Sequence, residues 1–408
     1  MPAVSVVRCE RYDRAQLEQA LRKALEPFGS IASIVKPGAR VLLKINHLGR
    51  HAPETAVDTH PELLRAVIEL VQTVTPNVTV ADGLWNAGLD DFEVSGTAGA
   101  CRETGATLVN LTGHGYREVR RDGLEAVKSL PFAEPALDAD VVINLPKLKT
   151  HALCLMTCAV KNSYGFLPRQ LKVNFHRIYG DPDQFANMLV DVWQARPPEL
   201  TIVDAVTAME GNGPSSDGRP KDLGLIIAGR DAVAIDAVAA ALMGLGPNSV
   251  ASTRHAARRG LGEADLAKIQ IVGEPIARAR QRFELPAATS VVELIANRLP
   301  KPVLRLLARV LMSTRVYPRI VESRCTGCGL CVHHCPAAAV RVVGSRARID
   351  RAKCVACFCC QEFCEQAAVD ARPSGFGALV TLPFRVLGTL AGGERVKDPN
   401  ERRRKPHG

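Results

Sequence analysis

The stretches CTGCGLCVHHCPAAAV (325–340) and CVACFCCQEFCEQAAV (354–369) repeat one pattern at a 29-residue offset. Each places four cysteines as C-x2-C-x2-C-x3-C and runs on into Ala-Ala-Val. Three thiolates two residues apart can wrap one tight turn around three corners of a [4Fe–4S] cube, with the N–H groups of the turn facing the sulfurs. The fourth thiolate lies beyond a helical turn, points away and reaches the other cube. The spacing therefore predicts two [4Fe–4S] clusters. Cys325, Cys328, Cys331 and Cys364 would hold one, and Cys354, Cys357, Cys360 and Cys335 the other. Two four-thiolate zinc sites are the alternative chemistry. The repeated rhythm, with Pro336 after the first run, favours the clusters. Cys359 aligns with Leu330 and is the spare; its expected role is to pack as a small hydrophobe.

Residues 319–371 resemble the bacterial two-cluster ferredoxin. The second run departs from it by having Glu365 where the first has Pro336. The resemblance implies a small α+β domain that carries low-potential single electrons.

A second set of reactive residues is scattered upstream. The run VLLKIN delivers Lys44 and Asn46, VTVADG delivers Asp82, and LTIVDA delivers Asp204. The segment INLPKLKTHALCLMTCAVKNSYG (143–165) delivers Lys147, Lys149, His151 and Lys161. Lys147 and Lys149 share a side if the backbone is extended. A helix is expected to start near Thr150, with His151, Cys154, Cys158 and Lys161 on one stripe. Basic groups beside a helix N-terminus make an anion site. The loop MEGNGPSSDG (209–218), with Asn212 and Gly213, has the composition of a phosphate cradle but no P-loop ending. The expected proton-handling and reacting groups are Lys147, Lys161, His151, Asp82 and Asp204. The expected anion-binding groups are Lys44, Asn46, Lys149, Asn212 and Gly213. Cys154 and Cys158 are expected to be buried packing residues, with metal ligation or thiol chemistry as the alternatives.

The elements that must position these groups are legible as short Val/Ile/Leu runs. Strands are expected at 4–9, 40–45, 78–81, 108–111, 141–145, 200–203, 223–228 and 269–272. Helical patterns at 61–74 and 232–243 lie between them, the first behind an Asp58-Thr59 pair that could cap it. This alternation predicts an α/β fold with a mostly parallel sheet and crossover helices. Ligands of such sheets sit at the carboxyl ends of the strands, where the polar residues fall.

Four stretches in order, VLLKINHLGRHAPETAVDTHPELLRAVIEL, DVVINLPKLKTHALCLMTCAVKNSYGFLP, LTIVDAVTAMEGNGP and DAVAIDAVAAALMGL, resemble the DUF362 family over roughly 30–275. Members often carry a C-terminal two-cluster ferredoxin module. The resemblance implies an α/β fold associated with iron–sulfur redox chemistry and implies no particular activity. Members more often have Lys-Pro-Asn where this chain has Lys44-Ile45-Asn46.

Composition sets the remaining bounds. The chain has 408 residues, 47% hydrophobic, and nine of its 13 cysteines lie within 325–364, the clustering of metal ligands and not of disulfides. The organisation expected is an α/β domain over 1–280, a basic amphipathic linker over 281–318, the cluster domain over 319–372 and an apolar then basic tail over 373–408. The N-terminus has no apolar signal-like stretch and no run is long enough to span a bilayer, so a cytoplasmic chain without integral membrane segments is expected. The net charge of +10 sits partly in the linker and in the ending RRRKPHG. Linker residues 303–312 form an amphipathic helical pattern, expected to dock the cluster domain or touch a membrane surface. Aromatic content of 4% and the lack of a recognisable binding motif argue against a nucleic-acid partner. No flavin or nicotinamide fingerprint is present. The expected function is an iron–sulfur oxidoreductase delivering electrons to an anionic substrate or cofactor in the α/β domain. The alternative is an electron carrier whose large domain docks a redox partner, a donor or acceptor protein.

Overall fold

The computed structural model describes residues 1–84, 88–246, 248–286 and 316–371. The amphipathic pattern at 303–312 and the tail lie outside the described residues.

The strands are β1 (Ala3–Arg8), β2 (Val41–Ile45), β3 (Val78–Asp82), β4 (Thr107–Asn110), β5 (Tyr116–Val119), β6 (Leu130–Ala133), β7 (Val141–Leu145), β8 (Lys147–His151), β9 (Leu155–Thr157), β10 (Leu200–Gly211), β11 (Gly218–Gly229) and β12 (Gln270–Gly273). Eight of them form one path in the order β12-β1-β11-β10-β7-β2-β3-β4, with β8 and β9 attached through β10. The β10–β7–β2–β3–β4 block is parallel throughout. Along that path only β11 is reversed, pairing antiparallel with both β10 and β1. The fold is thus a mostly parallel α/β sheet with helices on both faces, as such apolar strands require.

Strand β2 shows how the sequence builds this. All five of its residues are buried. Val41, Leu43 and Ile45 pack against Leu64, Val67 and Ile68 of the helix Pro61–Gln72 on one face. Leu42 points to the other face, towards Phe166 and Phe185. The two-residue alternation of a strand thus feeds two cores. Lys44 belongs to the second set of positions. It sits beside Ala81 of β3 and Asn144 of β7 at the carboxyl edge.

Two local expectations are corrected. The segment from Thr150 does not start a helix. Residues Lys147–His151 and Leu155–Thr157 form the β8–β9 hairpin, with β8 also pairing parallel to the long strand β10. Helix begins only at Ala159, where Asp236 accepts from the N–H groups of Ala159 (2.7 Å) and Val160 (3.2 Å). His151, Cys154, Cys158 and Lys161 therefore do not share a helical stripe. Strand pairing along β10 has overridden a coincidental helical spacing. The helix Pro61–Gln72 is capped by His60, not by Asp58 or Thr59. Those two turn inward, Asp58 accepting from Leu48 N–H (2.7 Å) and Thr59 from Asn46 N–H (2.8 Å).

The C-terminal unit consists of β13 (Arg319–Ile320), β14 (Val340–Val343), β15 (Arg346–Ile349) and β16 (Val369–Asp370), with short helices Leu330–His333 and Cys359–Glu362. β13 pairs with β16, and β14 with β15. The sequence repeat is also a backbone repeat. Gly327 and Gly329 have left-handed φ of 72° and 82°, and their counterparts Ala356 and Phe358 have 53° and 61°. Gly327 could carry no side chain, since a Cβ would lie 2.6 Å from the Ser345 carbonyl. The unit packs on the α/β domain through Ala356, Phe358 and Ala371 against Ala152. Among the described residues no helix is long and apolar enough to cross a membrane.

Candidate functional site

The eight expected ligands gather in two places. Cys325, Cys328 and Cys331 of the first run, with Cys364 of the second, ring a hollow of about 350 Å³, its open mouth included, whose walls include Ile320, Ala347 and Val369. Cys354, Cys357 and Cys360, with Cys335 of the first run, ring a second of about 300 Å³. Backbone N–H groups of Ala339, Ala347, Ala356 and Ala368 point at Cys335, Cys325, Cys354 and Cys364 Sγ, at 3.1 to 3.4 Å. Four thiols, apolar walls and N–H donors to sulfur fit an iron–sulfur cube. Among the described residues no group of three or more His, Cys, Asp or Glu side chains is placed to hold a single metal ion.

A larger cleft, about 670 Å³ with its open mouth, lies at the carboxyl edge of β2 and β3. Its α/β walls include Lys44, Asn46, His47, Asp82, Lys161, Tyr164, Lys172 and His176. Its opposite wall is Cys359, Glu362 and Phe363 of the cysteine-rich unit. The helix Cys359–Glu362 therefore has Cys360 on the second thiol-ringed cavity and Cys359 on the cleft.

The cleft floor is an ion pair. Lys44 Nζ lies 2.9 Å from Asp82 Oδ1 and donates to Ile45 O at 2.7 Å. Burial lowers the Lys44 pKa while Asp82 opposes the shift. Asp82 is held by the N–H groups of His47 (2.8 Å) and Gly83 (2.7 Å). The backbone at Gly165 presses onto this pair. A Cβ there would lie 2.2 Å from Asp82 Oδ1 and 2.6 Å from Lys44 Nζ. Gly165→Ala should therefore displace the floor, lowering stability by about 1–3 kcal/mol as overpacking does and weakening whatever the cleft binds. Thermal unfolding and ligand titration of the variant check this.

Above the floor, Lys172 donates to Gly83 O at 2.9 Å, and burial brings its pKa down to about 8. Lys161 is half-buried, stands over the Tyr164 ring at 5.8 Å and makes no ion pair among the described residues. Burial raises the Glu362 pKa against the pull of Lys161 and Lys149. His47 and His176 are each pushed down to about 3 by burial, so both rings are neutral. The cleft thus sets Lys161 and Lys172 beside two neutral imidazoles, with Lys44 already paired to Asp82 and Glu362 on the opposite wall, so an anion entering it meets two lysines outside that ion pair.

The structure divides the expected residues into three groups. Lys44, Asn46, Asp82 and Lys161 come together on the cleft. Lys147 and Asp204 form a separate buried pair at 3.0 Å that also engages Tyr12, and neither lines the cleft. Lys149 is buried behind it, donating to Val57 O at 2.6 Å. His151 and Asn212 serve the contact between the two units, and Gly213 holds the loop beside them against β8. His151 Nε2 is 3.3 Å from Glu362, Asn212 O accepts from Gln361 at 3.5 Å, and Gly213 packs against the Thr150 carbonyl. Nearby, Ser216 donates to Cys364 O at 2.5 Å. The loop 209–218 thus docks the cysteine-rich unit. Cys158 is buried, and its thiol pKa is raised well above its ordinary value, chiefly by desolvation. Sequence reasoning missed His47, Tyr164, Lys172, His176, Glu362 and Phe363, and gave Cys359 no place beside a site. His47 was within reach of the strand-end rule, one residue beyond Asn46.

This is an α/β domain with a cleft at the carboxyl edge of its sheet, fused to a 4Fe–4S unit that closes one side of that cleft. A family model described as a domain of unknown function, DUF362, matches residues 41–241. One described as a 4Fe-4S dicluster domain matches residues 317–365. A thylakoid-associated protein of Synechocystis sp. is 36% identical over 261 residues, covering 64% of this chain and 80% of the relative. The chain belongs to the DUF362 family, with a 4Fe–4S dicluster domain at its C-terminal end. Among solved structures, the lactate racemase apoprotein from Thermoanaerobacterium thermosaccharolyticum matches with a TM-score of 0.38 and 12% identity, over 56% of this chain and 54% of that one. The dicluster domain makes this an iron–sulfur electron-transfer protein.

Proposed function

We propose that the protein is an oxidoreductase that holds two [4Fe–4S] clusters and reduces a small anionic substrate in the cleft between its two units. Cys325, Cys328, Cys331 and Cys364 hold one cluster, and Cys335, Cys354, Cys357 and Cys360 the other. The clusters supply single electrons. The observation that carries the reading is the helix Cys359–Glu362, which puts a cluster thiol on one side and the cleft wall on the other.

Lys161 and Lys172 attract and orient the anion, and Lys44 with Asp82 fixes the floor beneath it. Tyr164 and Phe363 narrow the cleft and exclude water, which strengthens each charge contact. A substrate that takes electrons singly needs a conjugated acceptor, such as a carboxylate joined to a C=C or C=O group. An electron carrier that only docks a partner has no need of a lysine-lined cleft at this position.

The test uses full-length protein with reconstituted clusters, reduced by dithionite and freed of excess reductant. Enoates and 2-oxo acids are then mixed in while the visible absorption of the clusters reports reoxidation. At least one such anion should reoxidise them, and Lys161→Ala should weaken its apparent affinity by about 10-fold, the loss of one charge-assisted contact. No reoxidation by any member of the panel, or equal affinity in Lys161→Ala, rules the reading out.

A further inference from the structure

The β14–β15 hairpin walls the first thiol-ringed hollow through Ala347, and its two faces differ. Residues directly opposite in an antiparallel pair share a face, and the faces alternate along each strand. Val340 pairs with Ile349 and Val342 with Ala347, which sets these four on one face. Val340 and Ala347 pack there with Cys331 and Cys360, one thiol from each set of four. The Ala347 N–H reaches Cys325 Sγ at 3.4 Å. Arg341 pairs with Arg348 and Val343 with Arg346, which sets three arginines and a valine on the other face. Arg341 and Arg348 are exposed, and Val343 leaves 52% of its surface open to water.

This outer face is built against its own charge. Like charges directly opposite on a sheet are destabilising. Arg341 stands across from Arg348, and Arg346 is its diagonal neighbour. Glu322 answers Arg348 at 2.8 Å. Arg341 and Arg346 have no ion-pair partner among the described residues, and Arg346 donates to the Ser345 carbonyl at 3.0 Å. The exposed Arg351 and Lys353 follow, so 341–353 holds five basic residues and one acid, Asp350. The tip of the hairpin meets the first ligand turn. A Cβ on Gly327 would lie 2.6 Å from the Ser345 carbonyl. The next residue, Cys328, is the one exposed thiol of the eight expected ligands. The second set turns the other way, since Cys357 and Cys360 are buried and the helix Cys359–Glu362 walls the cleft.

We propose that the outer face of the β14–β15 hairpin docks an acidic electron-carrier protein, and that electrons enter at Cys325 and Cys328 and leave at the helix Cys359–Glu362. The exit rests on the function proposed above; the docking face does not. In the encounter the reduced carrier loses one electron, and the group held by Cys325, Cys328, Cys331 and Cys364 gains it. No bond forms or breaks and no proton is required. Charge selects the occupant. A second copy of this chain would bring the same arginines against these. One exposed valine inside a basic rim suits a brief redox encounter, which buries less than about 1,200 Å², and not a stable dimer. A carrier seated there lies one strand thickness from Cys325 Sγ.

The test uses full-length protein carrying its clusters, with plant-type [2Fe–2S] ferredoxin as the acidic probe and cytochrome c as a basic carrier. With all proteins oxidised, titration calorimetry at low salt should show a complex with the ferredoxin and none with cytochrome c. That affinity should fall about 10-fold or more as salt rises to about 0.5 M. Arg341→Glu with Arg346→Glu should weaken the complex by about 10-fold or more and flatten its salt dependence. Lys23→Glu with Lys36→Glu, the same charge change at exposed positions of the α/β domain, should keep the complex. In stopped flow, reduced ferredoxin should bleach the visible absorption of the Arg341→Glu, Arg346→Glu protein more slowly than that of the wild type. Dithionite should bleach both to the same extent, which shows the clusters intact. The proposal is overturned if no ferredoxin complex forms, or if the arginine double variant binds as the wild type does. Binding to phosphatidylglycerol vesicles, or a dimer, that the double variant loses in place of a ferredoxin complex overturns it in favour of a membrane or a second copy. These readouts need no cleft substrate, so failure of the cleft as a reduction site is read separately, from reoxidation and Lys161→Ala.

Discussion

Replacing Cys364 by serine should empty one cluster position and spare the other. The thiol belongs by sequence to the second run, yet it lines the cavity ringed by Cys325, Cys328 and Cys331. Iron and acid-labile sulfide should therefore fall from about eight to about four per chain, the content of one [4Fe–4S] cube in place of two. The cluster proposed for Cys354, Cys357, Cys360 and Cys335 should keep its reduced-state electron paramagnetic resonance signal. The loss should also loosen the short β13–β16 ladder, where Ile320 pairs with Val369 beside that cavity, because ligation and folding are coupled in small metal-bearing units. Cys359→Ser is the matched control. Cys359 rings neither cavity and lines the cleft instead, so full iron content should remain. If Cys364→Ser instead abolishes the signal of the other cluster, the crossed assignment is wrong.

The parts of this molecule that were legible in the sequence are those set by local rules. Buried parallel strands must be apolar on both faces, so the runs at 41–45, 78–82 and 141–145 announced themselves. The two cysteine runs fold as one tight turn repeated, and the left-handed positions recur at the same offset, down to Ala338 and Ala367 at 47° and 46°. The segment KLKTHALCLMTC was misread because its local spacing suits a helix equally well. What decides it is β10, some fifty residues later, which runs past β7 and offers β8 a pairing edge. The cleft was half legible for a similar reason. Strand ends supplied Lys44 and Asp82, but Lys172 and His176 come from the helix Arg169–Ile178, whose sequence carries no signature of a site. Cys359, Glu362 and Phe363 reach the cleft only because two separately encoded units dock. No periodicity within either unit specifies that contact.

Lys147 is where sequence and structure assign different work to one residue, and its substitution separates the two. As a reacting group it would lie on the cleft; in the fold it is fully buried, with Asp204 at 3.0 Å and the Tyr12 hydroxyl at 2.8 Å. Tyr12 donates to the other Asp204 oxygen at 2.7 Å and stacks on the His60 ring with centroids 3.5 Å apart. The N–H of His60 donates to Asp204 at 2.9 Å. This network ties β8 and β10 to the segment leading into the helix Arg14–Leu25 and to the start of the helix Pro61–Gln72. Lys147→Ala removes the cation and leaves Asp204 charged in a dry interior, so stability should drop by about 3–5 kcal/mol, as breaking a buried pair does. Changing both partners, Lys147→Met with Asp204→Asn, removes the stranded charge and keeps an acceptor for His60, so most of that loss should return. Urea unfolding of the three proteins measures it, and anion affinity of the folded fraction should be unchanged in each. A Lys147→Ala protein with the wild-type unfolding midpoint but no turnover would return this lysine to the chemistry and show that the buried network is dispensable to the fold.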